Sequence, residues 1–346
     1  MKTVRYGIIG CGAIAQRRHI PEAVANKNAK VVAIADPVTG RAKSVADPIG
    51  AVAYTDYKRM LKEEDLDAAV VCGPNRLHAP MTIDAFKAGL HVLVEKPMAT
   101  TRAEGKKMIA AAKQARKYLM VGMNQRLMPT HVKAKDILSS GRVGTPIAFE
   151  TSFKHPGPDG WSVDGANSWF FKKIPAVMGV CGDLGVHKAD LMRWLLGEEF
   201  VLAGGVISTL DKRTDQGRLI PLDDNAYITL KSKSGVVGSM NISWTNYGGE
   251  DNGTTVFCSK GVIKVGKHPD FGVVVEYRNG EREFHKVGAV ATNTRQVSSG
   301  VIDSFTESIL ARKKPLIDGM EGYRALDVIL TAMEAAKAGR FKKIAR

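Results

Sequence analysis

Apolar residues in the first third of the chain fall in short unbroken runs. Val4–Ile9, Lys30–Ala35, Ala68–Cys72, His91–Val94 and Leu119–Gly122 each have the length and β-branched content of a strand buried on both faces. Helix-length segments at 13–25, 78–88 and 102–117 separate several of them. Strand alternating with helix predicts a parallel sheet wound on both sides, an α/β arrangement. Beyond about residue 125 the pattern changes. A helix over 130–139 leads into the alternating strand Thr145–Lys154. The stretch 156–181 is rich in Gly, Pro and Trp and reads as an irregular loop, and a helix is expected over 183–196. Strand-length segments then follow one another at 201–210, 224–232, 236–246, 254–259, 261–265, 272–277 and 282–287, which predicts a large, mostly antiparallel sheet. Two helices close the chain. In the second, Leu326, Ile329, Leu330 and Met333 form an i, i+3, i+4, i+7 stripe that reads as core. The division expected is residues 1–124 and residues 125–346, the second part being α+β.

The turn after the first strand carries the strongest chemical signal. Gly10 and Gly12 permit a tight turn and a close backbone approach, and Ala15 lets the next helix pack on the sheet. Ala13 and Ile14 open that helix, whose free N–H groups suit a pyrophosphate. Asp36 ends the second strand, where its carboxylate can accept from the hydroxyls of an adenosine ribose. Strand, glycine turn, helix and acid together predict a Rossmann dinucleotide site. Asp36 favours NAD, while Arg41 leaves NADP open because a nearby arginine can accommodate a 2′-phosphate. Ligands of such sheets bind beyond the carboxyl ends of the strands. Gly10–Gly12, Asp36, Pro74–Asn75, Glu95–Lys96–Pro97 and Asn124 all fall there, so one rim is expected to gather them.

Composition narrows the class. Of 346 residues, 44% are hydrophobic and 25% charged, and no apolar run reaches the ~20 residues of a membrane span. Cys11, Cys72, Cys181 and Cys258 are scattered and read as free thiols. The first strand starts near Met1, leaving no room for a signal peptide, so a cytoplasmic protein is expected. The formal net charge is +15, but the basic residues are dispersed doublets and triplets such as Arg17-Arg18 and Lys342-Lys343. They read as a solvated surface, without a base-reading element, and no specific nucleic-acid partner is expected.

Lys96 is a candidate for holding a substrate hydroxyl or a developing alkoxide, against the plain reading of a surface lysine. Asp183 and His187 are four apart at a helix start, so they are expected to share a face, with His187 taking a proton and Asp183 orienting its ring. Asp190 lies further along. A capping Asp183 beside an incidental His187 is the alternative, and no further ligands at a metal-binding spacing accompany them, so no metal is expected. His78 can cap a helix or line the nicotinamide pocket. Asn124 and Arg126 can reach cofactor or substrate. Asn167 and Trp169 can close over a polyhydroxylated ring, and Trp244, Asn246 and Tyr247 fit either a sheet face or a pocket wall.

Taken in order, Gly-Cys-Gly-Ala-Ile-Ala at 10–15, Pro-Asn at 74–75 with His78, Glu-Lys-Pro at 95–97, Asn-Gln-Arg at 124–126 and Asp-Leu-Gly-Val-His at 183–187 resemble the glucose–fructose oxidoreductase, inositol dehydrogenase and rhizopine-catabolism (Gfo/Idh/MocA) oxidoreductases. The resemblance covers nearly the whole chain. It implies NAD(P)-dependent oxidation or reduction at a secondary alcohol of a sugar, anhydrosugar or cyclitol, with Lys96, Asp183 and His187 as the catalytic trio. It implies homodimers or homotetramers built through the open face of the second sheet. Some relatives hydrolyse glycosides through transient NAD-dependent oxidation, and others are non-catalytic dinucleotide-binding regulators; an intact trio argues against the regulator.

Overall fold

The computed structural model describes residues 3–288, 290 and 298–345. The first sheet has six strands, β1 (Val4–Ile9), β2 (Ala29–Ala35), β3 (Val52–Tyr54), β4 (Ala68–Val71), β5 (His91–Val94) and β6 (Leu119–Val121), all parallel in the order β3-β2-β1-β4-β5-β6. The winding reverses between β1 and β4, where ligand crevices form in such sheets. Ile8, Val70, Leu93 and Val94 are fully buried, as unbroken apolar runs require. Helices α1 (Ile20–Ala25), α2 (Thr39–Ala46), α3 (Tyr57–Glu63), α4 (His78–Lys87) and α5 (Arg102–Ala115) accompany it. A capping box starts α5: Thr101 accepts from the Glu104 N–H and Glu104 from the Thr101 N–H.

Two features depart from the sequence pattern. Residues 37–67 carried no apolar signature, yet they hold α2, β3 and α3. Strand β3 is a three-residue edge strand with Val52 and Ala53 exposed, so no buried run marks it. The helix expected over 13–25 is broken in character. A π-helical turn, Ala15–His19, precedes α1 and leaves both Arg18 and His19 buried.

The second sheet has nine strands: β7 (Pro146–Lys154), β8 (Phe200–Ser208), β9 (Asn225–Ser232), β10 (Val237–Ser243), β11 (Thr254–Cys258), β12 (Gly261–Val265), β13 (Val273–Tyr277), β14 (Arg282–His285) and β15 (Lys342–Lys343). Their order is β14-β13-β12-β11-β7-β10-β9-β8-β15, antiparallel except for the β7–β10 pair. Helices α6 (Pro129–Ser139), α7 (Lys173–Ala176), α8 (Val186–Leu196), α9 (Val301–Leu310) and α10 (Gly319–Lys337) complete the chain. Ile228, Leu230, Met240 and Ile242 are buried on one face of this sheet, while Val206, Tyr227 and Val237 are exposed. The last helices return to the first sheet: Tyr6 Oη lies 2.8 Å from Thr306 Oγ1, and the Val121 N–H donates to the Ile317 carbonyl just before α10.

Arg126 belongs to this framework and not to the cavity described below. Its Nε donates to Asp190 Oδ2 at 2.7 Å, and its Nη2 to Asp190 Oδ1 at 2.5 Å and Glu321 Oε2 at 2.7 Å. The cluster ties the end of β6 to α8 and α10, with Arg126 3% and Asp190 1% exposed. Burial pushes the Asp190 carboxyl up, and the charges of Arg126 and Arg193 pull against it. Arg126→Ala should therefore lower stability by about 3–5 kcal/mol, because it strands Asp190. Arg126→Met with Asp190→Leu should recover much of that loss. Urea unfolding midpoints of the three proteins decide it; an unchanged midpoint in Arg126→Ala would remove Arg126 from the framework.

Candidate active site

A cavity of about 560 Å³ opens where the strand ends of the first sheet meet the second half of the chain. Gly10, Gly12, Ala13, Ile14, Asp36, Arg41, Pro74, Asn75, His78, Glu95, Lys96, Asn124, Trp169, Asp183 and His187 all line it. Asn167 is exposed and, like Arg126, does not.

The dinucleotide end is shaped by backbone. Gly10 has φ +93°, and a Cβ there would stand 2.8 Å from the Cys72 carbonyl carbon and the Gly73 nitrogen. A Cβ on Gly12 would meet nothing within 4 Å, which leaves open space in front of the turn. Helical backbone begins at Ala13, and Gln16 N–H is the first to donate back, to Gly12 O at 3.1 Å, so the N–H groups ahead of it have no carbonyl within the helix to meet. Asp36 is fixed by two backbone donors, Cys11 N–H to Oδ2 at 2.8 Å and Val38 N–H to Oδ1 at 2.9 Å. A carboxylate held this way keeps lone pairs for a ribose diol. The residues present therefore fit NAD.

The other end is built around Lys96. Pro97 follows β5 and keeps Lys96 out of helix, at the strand end. Its ammonium crosses to the second half of the chain, donating to Asp183 Oδ1 at 2.5 Å and to the Asp183 carbonyl at 3.0 Å. Trp244, fully buried at the end of β10, donates Nε1–H to Asp183 Oδ2 at 3.0 Å. Burial pushes the Asp183 carboxyl up, but the Lys96 charge and these hydrogen bonds outweigh it and hold the group below its ordinary value. Beside Lys96, Glu95 Oε1 accepts from His19 Nε2 at 2.6 Å, and its Oε2 from the Lys96 N–H at 3.1 Å. Burial again opposes ionisation; the His19 bond and the charges of Lys96 and Arg18 bring Glu95 down to about 2.

His187 lies 6% exposed on the cavity wall, its ring centroid 6.0 Å from that of Phe153. No hydrogen bond to either ring nitrogen is found among the described residues. Burial, reinforced by the Lys96 charge, drives its pKa well below 6.5, so the imidazole is neutral at pH 7 with a nitrogen free to accept a proton. Asp183 does not orient this ring. Asp183 sits within a π-helical turn, Cys181–Gly185, in which Val186 N–H donates to Cys181 O, and His187 follows it on α8. A π-turn is wider than an α-turn, so positions four apart no longer stack, and Asp183 turns to Lys96 and Trp244.

Several lining residues escaped the sequence reading. Phe153 and the wall residues Trp161 and Asp164 depend on how β7 and the following loop fold back, and nothing local in sequence marks that. Arg18 is 7% exposed, its Nε without a partner; the basic doublet Arg17-Arg18 gave no sign that its second member faces inward. Behind the cavity wall, His155 at the end of β7 accepts from Gly157 N–H through Nδ1 at 2.9 Å, which leaves its buried Nε2 4.0 Å from Asp183 Oδ2. A histidine at a strand end was the available signal. His78 is pinned between two carbonyls, Pro97 O and Gly73 O, each 2.7 Å away, and so joins the turns after β4 and β5. Among the described residues, no group of three or more His, Cys, Asp or Glu is arranged to hold a metal ion.

Comparison with known proteins places this geometry in context. Residues 4–123 match the profile of an oxidoreductase family with an NAD-binding Rossmann fold, and residues 131–264 match the GFO/IDH/MocA C-terminal domain. The chain is 26% identical to myo-inositol 2-dehydrogenase of Thermotoga maritima, over 99% of this chain and 98% of that one. It is also 26% identical to 1,5-anhydro-D-fructose reductase of Ensifer adhaerens, over 98% of each. A solved structure of levoglucosan dehydrogenase with NADH and L-sorbose superposes with a TM-score of 0.87 at 23% identity, covering all of both chains, and shares the fold.

The buried histidines give this site a pH signature. Burial lowers His155 and His187, and burial with the nearby Lys188 charge takes His131 down to about 3. Each is neutral when folded and binds a proton more readily once unfolded, near 6.5. Stability should be fully present above pH 6.5 and fall progressively as the pH drops toward 3. Melting temperature measured from pH 8 to 4 reads this directly; a flat profile between 7 and 5 would contradict the neutral histidines.

Proposed function

The chain belongs to the Gfo/Idh/MocA oxidoreductases, and from that premise we propose that it transfers a hydride between NAD and a secondary alcohol of a sugar, anhydrosugar or cyclitol. The observation that carries the reading is the meeting of Lys96, Asp183 and His187 in one cavity with Gly10, Gly12 and Asp36. Asp36 would hold the adenosine ribose and the glycine turn the pyrophosphate. NAD, when bound, supplies the hydride acceptor, or the donor in reverse.

The chain's own groups do the rest. His187, neutral and unpartnered, takes the proton of the reacting hydroxyl. Lys96 donates to the same oxygen and stabilises it as charge develops. Asp183 acts as a positioning residue: it fixes the Lys96 ammonium from the opposite half of the chain and leaves its third proton to point into the cavity. His155 stays outside the cavity, its buried Nε2 4.0 Å from Asp183 Oδ2, and so backs that carboxylate from behind. Trp169 stacks on Phe170, with ring centroids 3.9 Å apart, and together they offer an aromatic wall suited to the apolar face of a ring. The exposed Val206, Tyr227 and Val237 support the expectation that the open sheet face builds a homo-oligomer.

The substrate class is tested by screening cyclitols, anhydrosugars and aldoses with NAD+ and following the absorbance of the reduced cofactor. On the alcohol that responds, Lys96→Ala and His187→Ala should each lower kcat about 10²–10⁴-fold while NAD+ still binds. Because His187 titrates well below 6.5, the acid limb of kcat/KM for oxidation should lie below that pH. Near wild-type turnover in either variant would end its catalytic role. Glycoside cleavage without net reduced cofactor would move the assignment to a hydrolase of the same family.

A further inference from the structure

At the adenosine end, the two halves of the chain meet through one arginine. Arg41 on α2 directs Nη2 to Asp164 Oδ1 at 2.7 Å, while its Nη1 stands 3.8 Å from Asp36 Oδ1. Asp164 belongs to the loop between β7 and α7, and it lines the cavity next to Trp161 and Val163. The arginine is thus held between two acids from distant parts of the sequence. Its side chain is 23% exposed and that of Asp164 36%, so the pair is partly open to solvent and weakens as salt rises.

This arrangement bears on which dinucleotide the site accepts. A ribose 2′-phosphate brings nearly two negative charges and needs a cation beside it. Arg41 is the cation that the described lining places next to Asp36; Arg18 and Lys96 stand at the opposite end, with Glu95 and Asp183. A free Arg41 could turn to a 2′-phosphate and offset Asp36. Paired with Asp164, it has a carboxylate partner already, and the patch keeps a net negative charge.

We propose that Asp164, reaching over from the second half of the chain, is a cofactor-selecting residue: by engaging Arg41 it denies the site its 2′-phosphate receptor and enforces NAD. The proposal rests on the reading that this end of the cavity holds the adenosine of a dinucleotide. It makes the loop, and not only the acid at the end of β2, a determinant of cofactor choice. Charge repulsion of this kind selects by excluding the competitor, leaving affinity for the accepted ligand little changed.

The test uses binding by the full chain, without turnover. Dissociation constants for 5′-AMP, adenosine 2′,5′-bisphosphate, NAD+ and NADP+ are measured by calorimetry on the wild type, Asp164→Asn, Arg41→Ala and the double variant. Any loosening of the loop affects 5′-AMP and the bisphosphate alike, so the ratio between them isolates the 2′-phosphate. In Asp164→Asn, that ratio and the NADP+/NAD+ ratio should shift toward the phosphorylated ligand about tenfold, the equivalent of ~1.4 kcal/mol. Adding Arg41→Ala should abolish the shift. Ratios unchanged within twofold in Asp164→Asn, or a gain that survives Arg41→Ala, would overturn the proposal. A wild type that binds neither NAD+ nor 5′-AMP would overturn the dinucleotide reading beneath it.

Discussion

The contact between Lys96 and Asp183 is the constraint around which the site is organised. One partner ends a strand of the parallel sheet; the other sits in the π-turn that leads into α8. Their side chains are 13% and 4% exposed, so both charges have lost most of their water. Such a pair is tolerable only when its geometry is good and its remaining hydrogen-bonding capacity is used. Trp244 and the Asp183 carbonyl meet that requirement. The consequence is positional. With Lys96 anchored across the gap, His187, one turn further along, faces the same space as the glycine turn and Asp36.

The surrounding structure keeps that contact from being strained or solvated. Asp223 accepts from the Gly179 and Cys181 N–H groups through separate oxygens and so fixes the entry to the π-turn. A Cβ on Gly185 would lie 2.6 Å from Ile242 and 3.0 Å from Ile329, so the turn is pressed between the second sheet and α10. On the opposite side, the Arg126, Asp190 and Glu321 cluster braces the end of β6 against the same helix pair. The electrostatics follow from burial. Around Lys96, the anions Glu95 and Asp183 coexist with the neutral His187 because each carboxylate has dedicated donors and His187 has no hydrogen-bond partner among the described residues.

Much of this was legible in the sequence. Val4–Ile9, His91–Val94 and Gly261–Val265 are strands with the bounds their apolar runs imply. The rim gathers Gly10, Asp36, Pro74, Glu95, Lys96 and Asn124 because strand ends of a parallel sheet share a side. What escaped depends on geometry that no local pattern encodes. Arg126 sits in a motif beside Asn124, yet a buried acid on α8 claims it. The Asp183–His187 spacing suggested stacking, and one extra residue in the turn undid it. Asp164 meets Arg41 across 123 positions, through a loop whose Gly and Pro content announces irregularity but not direction. The edge strand Val52–Tyr54 was silent because an exposed edge needs no apolar run.

The account stands or falls on direct hydride transfer from a carbohydrate or cyclitol alcohol. The decisive measurement places deuterium on the oxidised carbon of the substrate and follows it by NMR into the reduced dinucleotide. The account predicts that the label arrives at the nicotinamide ring without loss to water and that turnover slows by a primary isotope effect. Label released to solvent, or no alcohol of this class able to reduce NAD+, would contradict it.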